Sequence, residues 1–145
     1  MLIGQYLHTL DTKKRLSLPS KFRKELGATV VITRGLDSCL FVYSLKEWKR
    51  FTGQLSDLSV GSADSRAFLR FVLASAVETL VDKSGRILIP DFLKDFANLI
   101  DEKVIVTGVH NRIELWNESS WNTYNSRISL EADALAEKLS SVGMI

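Results

Sequence analysis

Two arginines in this chain each stand four residues after an aspartate: Asp11 with Arg15, and Asp82 with Arg86. Such a pair could be taken for the acid–base dyad of an enzyme. No nucleophile accompanies either one, however, and a carboxylate so near a guanidinium has its basicity lowered. The guanidinium is the more telling group. Its planar fork pairs with phosphate, or takes guanine O6 and N7 together, the commonest base-specific contact to DNA. The surroundings of Arg15 are basic as well. From Asp11 to Lys24 the chain holds Lys13, Lys14, Arg15, Lys21, Arg23 and Lys24 against Asp11 alone, and such a cluster binds polyanions by releasing their counterions. The bland alternative is a solvated face on which the Asp–Arg ion pair merely fixes a turn.

Other chemistry is poorly served. The two imidazoles, His8 and His110, fall in strand-like segments or turns, and no Cys/His/Asp cluster has metal-ligand spacing. Phosphate-cradling glycine loops, nucleophile elbows and zinc-protease helices are missing as motifs. We expect no catalytic residue, no metal, no cofactor and no small-molecule substrate. Cys39, beside Leu40 and Phe41, reads as a small buried hydrophobe.

The Asp–Arg pair belongs to a repeat. Asp11, Arg15 and Pro19 match Asp82, Arg86 and Pro90 at a constant spacing of 71 residues. Further on, a spacing of 73 sets Gly35 on Gly108, Tyr43 on Trp116 and Trp48 on Trp121, and lays Val30-Val31-Ile32 over Lys103-Val104-Ile105. An ordered set of matches in one chain is hard to obtain by chance. Two modules about a pseudo-twofold would present their Arg-bearing turns side by side, as a symmetric β-reader does for a groove.

Each copy reads as strand, turn, strand, short helix, hairpin and helix. Leu7–Leu10, Leu16–Leu18, Val77–Val81 and Ile87–Ile89 suit strands. Lys83-Ser84-Gly85 supplies a turn with a glycine that tolerates positive φ, whereas Lys14 takes that place in the first copy and carries some strain. Pro19 and Pro90 suit helix entries, and Phe22 and Leu26 share an apolar helix face. Ser44 with Glu47 forms a capping box, and Asn117 is a similar helix start. Two helices, Asp64–Ala74 and Leu130–Leu139, stand outside the shared pattern.

At 145 residues, 46% hydrophobic and 25% charged, the chain has the profile of a globular protein. No apolar run approaches the roughly 18–20 residues that span a bilayer, and the opening residues lack a signal-peptide pattern, so a cytoplasmic location is expected. The net charge of +2 hides an asymmetry: residues 1–75 carry 12 basic and 6 acidic side chains, residues 76–145 carry 7 and 11. From this the first copy is expected to supply most of the electrostatic attraction for a polyanion, with Arg86 still able to read bases.

The doubled D-x-x-x-R signature at Asp11–Arg15 and Asp82–Arg86 resembles the MraZ family. So do Gly4-Gln5-Tyr6, Arg34-Gly35-Leu36-Asp37, Leu40-Phe41-Val42-Tyr43 and Gly85-Arg86-Ile87-Leu88-Ile89-Pro90. The resemblance implies an α+β, β-rich fold: a tandem swapped-hairpin β-barrel of the AbrB/MazE/MraZ kind, forming an intrachain pseudo-dimer with additional flanking helices. On that reading residues 1–55 and 76–124 are the two SpoVT/AbrB-like modules, 56–75 a linker and helix, and 125–145 a C-terminal helix. It further implies a bacterial, nucleoid-associated regulator whose chains assemble into rings on repeated promoter sites upstream of the division and cell-wall gene cluster. Arg15 and Arg86 correspond to the family's signature arginines and would contact double-stranded DNA, with Lys13, Lys14 and Lys83 on phosphates. Asp11 and Asp82 would orient the arginines or cap the turns. The rival is an antitoxin-like or scaffold protein-interaction module, although such antitoxins usually carry one module and a disordered tail.

Overall fold

The computed structural model describes residues 1–99 and 103–145. The first repeat runs β1 (Leu2–Thr9), β2 (Arg15–Ser17), α1 (Ser20–Leu26), the hairpin β3 (Thr29–Arg34) and β4 (Leu40–Ser44), then α2 (Leu45–Leu55). Helix α3 (Ala63–Leu73) leads into the second: β5 (Val77–Leu80), β6 (Arg86–Leu88), α4 (Asp91–Phe96), β7 (Lys103–His110), β8 (Ile113–Asn117) and α5 (Glu118–Ser141). The fold is therefore α+β, with an antiparallel sheet and several helices.

Local sequence accounts for the element ends. Pro19 and Pro90 occupy the N-cap positions of α1 and α4 with extended backbone, where a missing N–H costs nothing. The side-chain oxygens of Ser44, Ser62 and Asn117 accept from the backbone N–H groups of Glu47, Ser65 and Ser120 at 3.2, 3.3 and 3.0 Å. These caps satisfy donors that a helix cannot satisfy itself. One sequence expectation needs correcting: the helix starting at Asn117 and the one placed over Leu130–Leu139 are a single continuous α5. No proline or glycine interrupts residues 118–141, so nothing stops the helix once capped.

Six strands form one sheet in the order β1-β7-β8-β4-β3-β5, and β2 pairs separately with β6. The first strand of each repeat pairs with the third strand of the other: β1 with β7, β5 with β3. The repeats are thus interlocked, and residues 1–55 do not complete a sheet of their own. The sheet is open, with β1 and β5 as edges, rather than closed by hydrogen bonds into a barrel. One continuous core gathers both repeats: Leu16 and Ile87 from the β2–β6 ribbon, Phe22 and Leu93 from α1 and α4, and Val30, Val42, Val104 and Leu115 from the sheet. Over the other face lie two aromatic clusters, Tyr43, Trp48 and Phe51, and Trp116, Trp121 and Tyr124.

The pairing also corrects the internal alignment. Thr9 and Leu80, equivalent at a spacing of 71, pair with Lys103 and Thr29. Lys103 is therefore the counterpart of Thr29, and Val30 corresponds to Val104, a spacing of 74 rather than 73. At β4 and β8 the spacing returns to 73, since Ser44 lies opposite Val30 and Asn117 opposite Val104. The β3–β4 turn holds the extra residue. The match of Gly35 to Gly108 is thus coincidental, and each glycine has its own reason. A Cβ on Gly108 would meet the Ile3 nitrogen at 2.5 Å, and one on Gly35 the Phe41 ring at 2.5 Å.

Candidate nucleic-acid interface

The two Asp-x-x-x-Arg segments fold into near-identical turns. In the first, Asp11 Oδ1 accepts from the backbone N–H groups of Lys13 and Arg15 at 2.8 and 3.0 Å, and Oδ2 accepts from Arg15 Nε at 2.8 Å. In the second, Asp82 Oδ1 accepts from Ser84 and Arg86 at 2.9 Å each, and Oδ2 from Arg86 Nε at 2.9 Å. Asp at the first position is required because one carboxylate must cap two amides and hold a guanidinium. The backbone N–H of the arginine, foremost, holds each carboxyl below its ordinary pKa, though partial burial opposes it. Both aspartates are therefore anions at neutral pH and act as orienting groups.

The turn closes through a residue in the left-handed region: Gly85 at φ 77° and Lys14 at φ 63°. For lysine that conformation costs on the order of 1–2 kcal/mol, so the strain expected of the first turn is present. The carbonyls of these two residues accept across the pseudo-twofold, Gly85 from the Leu18 N–H at 2.9 Å and Lys14 from the Ile89 N–H at 3.1 Å.

These bonds zip β2 to β6 with Arg15 opposite Leu88 and Ser17 opposite Arg86. Alternation then sorts the faces. Leu16 and Ile87 are fully buried, while Arg15, Ser17, Arg86 and Leu88 face outward. The two arginines are diagonal neighbours on this outer face, each with about 30% of its side chain exposed. Nε is engaged by aspartate, and no η nitrogen hydrogen-bonds another described residue. The forks are held at their base and open at their tip.

Of the lysines singled out from sequence, Lys13 and Lys83 are exposed on the turns. Lys14 is drawn aside, its Nζ ion-paired with Asp91 of the other repeat. Sequence reasoning gave Arg23 no individual role. From α1 it lies over the second turn, so that a Cβ on Gly85 would fall 2.1 Å from its Cζ, and its Nε donates to the Leu18 carbonyl at 2.9 Å. The available signal was its place beside Lys24, four residues after Pro19, but only the interlocked fold brings it to Gly85.

Comparison with known proteins fits this duplicated turn. The family described as "MraZ protein, putative antitoxin-like" matches twice, over residues 1–71 and 72–141. The chain belongs to the MraZ family. Among its relatives is the "Transcriptional regulator MraZ" of Caldicellulosiruptor saccharolyticus, 49% identical over 99% of this chain and 100% of the relative. That of Caldanaerobacter subterraneus subsp. tengcongensis is 50% identical over 96% of each, and that of Thermoanaerobacter sp. 47% identical over 99% and 100%. The boundary between the two MraZ matches falls within α3. Each MraZ match therefore contains one Asp–Arg turn, with its partner strand supplied by the other.

Proposed function

We propose that this chain is a sequence-specific, DNA-binding transcriptional regulator that reads DNA with the outer face of the β2–β6 ribbon. One observation carries the proposal: two arginines, each fixed by an aspartate through Nε, stand as diagonal neighbours with no η nitrogen hydrogen-bonded to another described residue. Arg15 and Arg86 contact base edges, and Lys13 and Lys83 neutralise phosphates, with Lys14 restrained by Asp91. The relatives' name, transcriptional regulator, supports this reading and not an enzymatic one. No described helix is long and apolar enough to cross a membrane, which accords with a cytoplasmic, nucleoid-associated protein.

The family resemblance extends the proposal to the targets: repeated sites in its own promoter and the division and cell-wall gene cluster. We further infer a homo-oligomeric ring, in which several weak modules engage tandem sites and avidity supplies the affinity. At the level of fold we infer the swapped-hairpin barrel, on the strength of the exchanged first strands. An antitoxin-like role is less well supported, because residues 118–141 form one helix and not a disordered, partner-wrapping tail.

Fluorescence anisotropy on the duplex upstream of the chain's own gene, against a scrambled duplex at several salt concentrations, tests the function. Tighter binding to the upstream DNA with a salt slope of several ions is expected. Equal, weak binding to both would reject it.

A further inference from the structure

Interlocking the repeats redistributes charge in a way that the linear sequence conceals. Each arginine turn is flanked by the helix of the other repeat. Helix α4 lies at the first turn, where Asp91 takes the Lys14 ammonium and Lys94 Nζ stands 3.7 Å from the same carboxylate oxygen. Helix α1 lies at the second turn, where Arg23 covers Gly85. At the spacing of 71 residues Asp91 is equivalent to Ser20, Lys94 to Arg23 and Asp95 to Lys24.

The end of the ribbon bearing Arg15 therefore combines a turn with three cations and one carboxylate with a helix holding one cation and two carboxylates. The end bearing Arg86 combines a turn with two cations and one carboxylate with a helix holding three cations and one carboxylate. The net charges are +1 and +3. The first copy still supplies most of the cations, but those of its helix α1 stand at the second copy's turn.

We propose that the interface is electrostatically polar: the Arg86 end, with Arg23, is the phosphate anchor, and Asp91 attenuates the Arg15 end by occupying Lys14. The inference rests on the ribbon being the DNA-binding face. It makes Asp91 a positioning residue that acts through Lys14 and a fixed negative charge, not a DNA contact. Asp91 and Lys14 are both well exposed, so their pairing is weak in itself. The consequence lies in which charge a phosphate meets. A chain so built binds its site in a preferred orientation, with one arginine contributing mainly affinity and the other mainly selection.

The test is a cycle of Asp91→Ser, which installs the first repeat's residue, and Lys14→Ala, read by anisotropy on the upstream duplex. Asp91→Asn is the companion variant should serine unsettle the helix start, and thermal melts establish that each variant is folded. Asp91→Ser is expected to tighten binding several-fold and to steepen the salt slope by up to about 0.9 for the released cation. Lys14→Ala is expected to cost little alone, but in the Asp91→Ser background to cancel the part of the gain carried by the released Lys14 ammonium, leaving the part due to the lost carboxylate charge. Hydroxyl-radical footprints should become more even across the site. If Arg15→Ala and Arg86→Ala weaken binding while both Asp91 variants leave affinity and slope unchanged, the polarity is wrong and the ribbon reading stands. If neither arginine variant alters binding, the ribbon is not the DNA face and both fall.

Discussion

Arg86 Nη1 lies 3.9 Å from Asp11 Oδ2, a carboxylate of the opposite repeat, while its Nε is held by its own Asp82. The reverse contact, Arg15 with Asp82, has no counterpart at this distance among the described ion pairs. Asp11 thus orients two guanidinia and Asp82 only one. Asp11→Asn is expected to lower the ratio of upstream to scrambled-duplex affinity more than Asp82→Asn does, while leaving scrambled-duplex binding unweakened. Equal losses from the two variants would show that the cross-repeat contact has no role in orientation.

Arg15→Ala should cost on the order of 1–3 kcal/mol per engaged site and relax preference at one or two base positions. Lys13→Ala should instead weaken binding to all sequences alike and lower the salt slope. Selection experiments on randomised sites separate the two. Base-specific loss at Lys13 would contradict the phosphate role proposed for it.

The two turn-closing residues should respond in opposite directions. Gly85→Ala forces a Cβ into the left-handed region and onto Arg23, and is expected to cost about 1–2 kcal/mol or more. Lys14→Gly relieves the same backbone penalty in open space, and should be neutral or stabilising by up to about 1 kcal/mol. Urea unfolding of both variants reads the difference directly.

Acid sensitivity follows from the same turns. Asp11 and Asp82 have folded pKa values depressed chiefly by the arginine N–H groups. A depressed carboxylate contributes stability that is complete above its unfolded pKa of about 3.9 and fades as pH falls through the folded value. The Asp11→Asn, Asp82→Asn double variant should therefore show a shallower loss of urea midpoint below about pH 4 than the parent. Parallel curves would mean that the turns do not carry the acid response.

On the opposite face of the sheet, Glu114 is nearly buried at 9% exposure, and accepts from Arg112 Nη2 at 2.8 Å and Trp116 Nε1 at 3.1 Å. Arg112 in turn lies 4.3 Å above the Phe41 ring, across the β4–β8 pairing that joins the repeats. Glu114→Ala strands both donors, and should destabilise the fold by about 2–4 kcal/mol. DNA contacts should persist below the lowered melting temperature. Neighbouring Cys39 is fully buried, and burial pushes its thiol pKa up, so a thiol reagent should label it only upon unfolding.

The local elements were legible because their signals are local. Ser44 caps α2 by accepting from the Glu47 N–H, although the Glu47 carboxylate turns to Arg50 instead of completing a capping box; Asn117 starts α5, and the two Asp–Arg turns form where the repeat places them. The geometry of the two arginine turns was legible for the same reason, since Asp11 and Asp82 fix their arginines within four residues. What escaped is set by tertiary pairing. A one-residue shift leaves an all-apolar strand such as Val104–Val106 superficially unchanged, so the 73 spacing misplaced Lys103 against Val30. Which helix faces which turn depends on strand exchange, and no local pattern states that Arg23 reaches Gly85 or that Lys14 reaches Asp91.

The exchange of first strands has a consequence for how the chain comes off the ribosome. Leu2 is bonded opposite His110 and Thr9 opposite Lys103, so a strand of the first repeat must wait for one made late in the second. Until β7 emerges, β1 is an unpaired strand carrying exposed Ile3 and Leu7, which is the kind of segment that recruits other chains. Long-range pairing of this sort is slow. The duplicated gene therefore yields not two small proteins in series but one late, all-at-once closure, in which a nascent chain cut short before its second repeat has no finished half to offer.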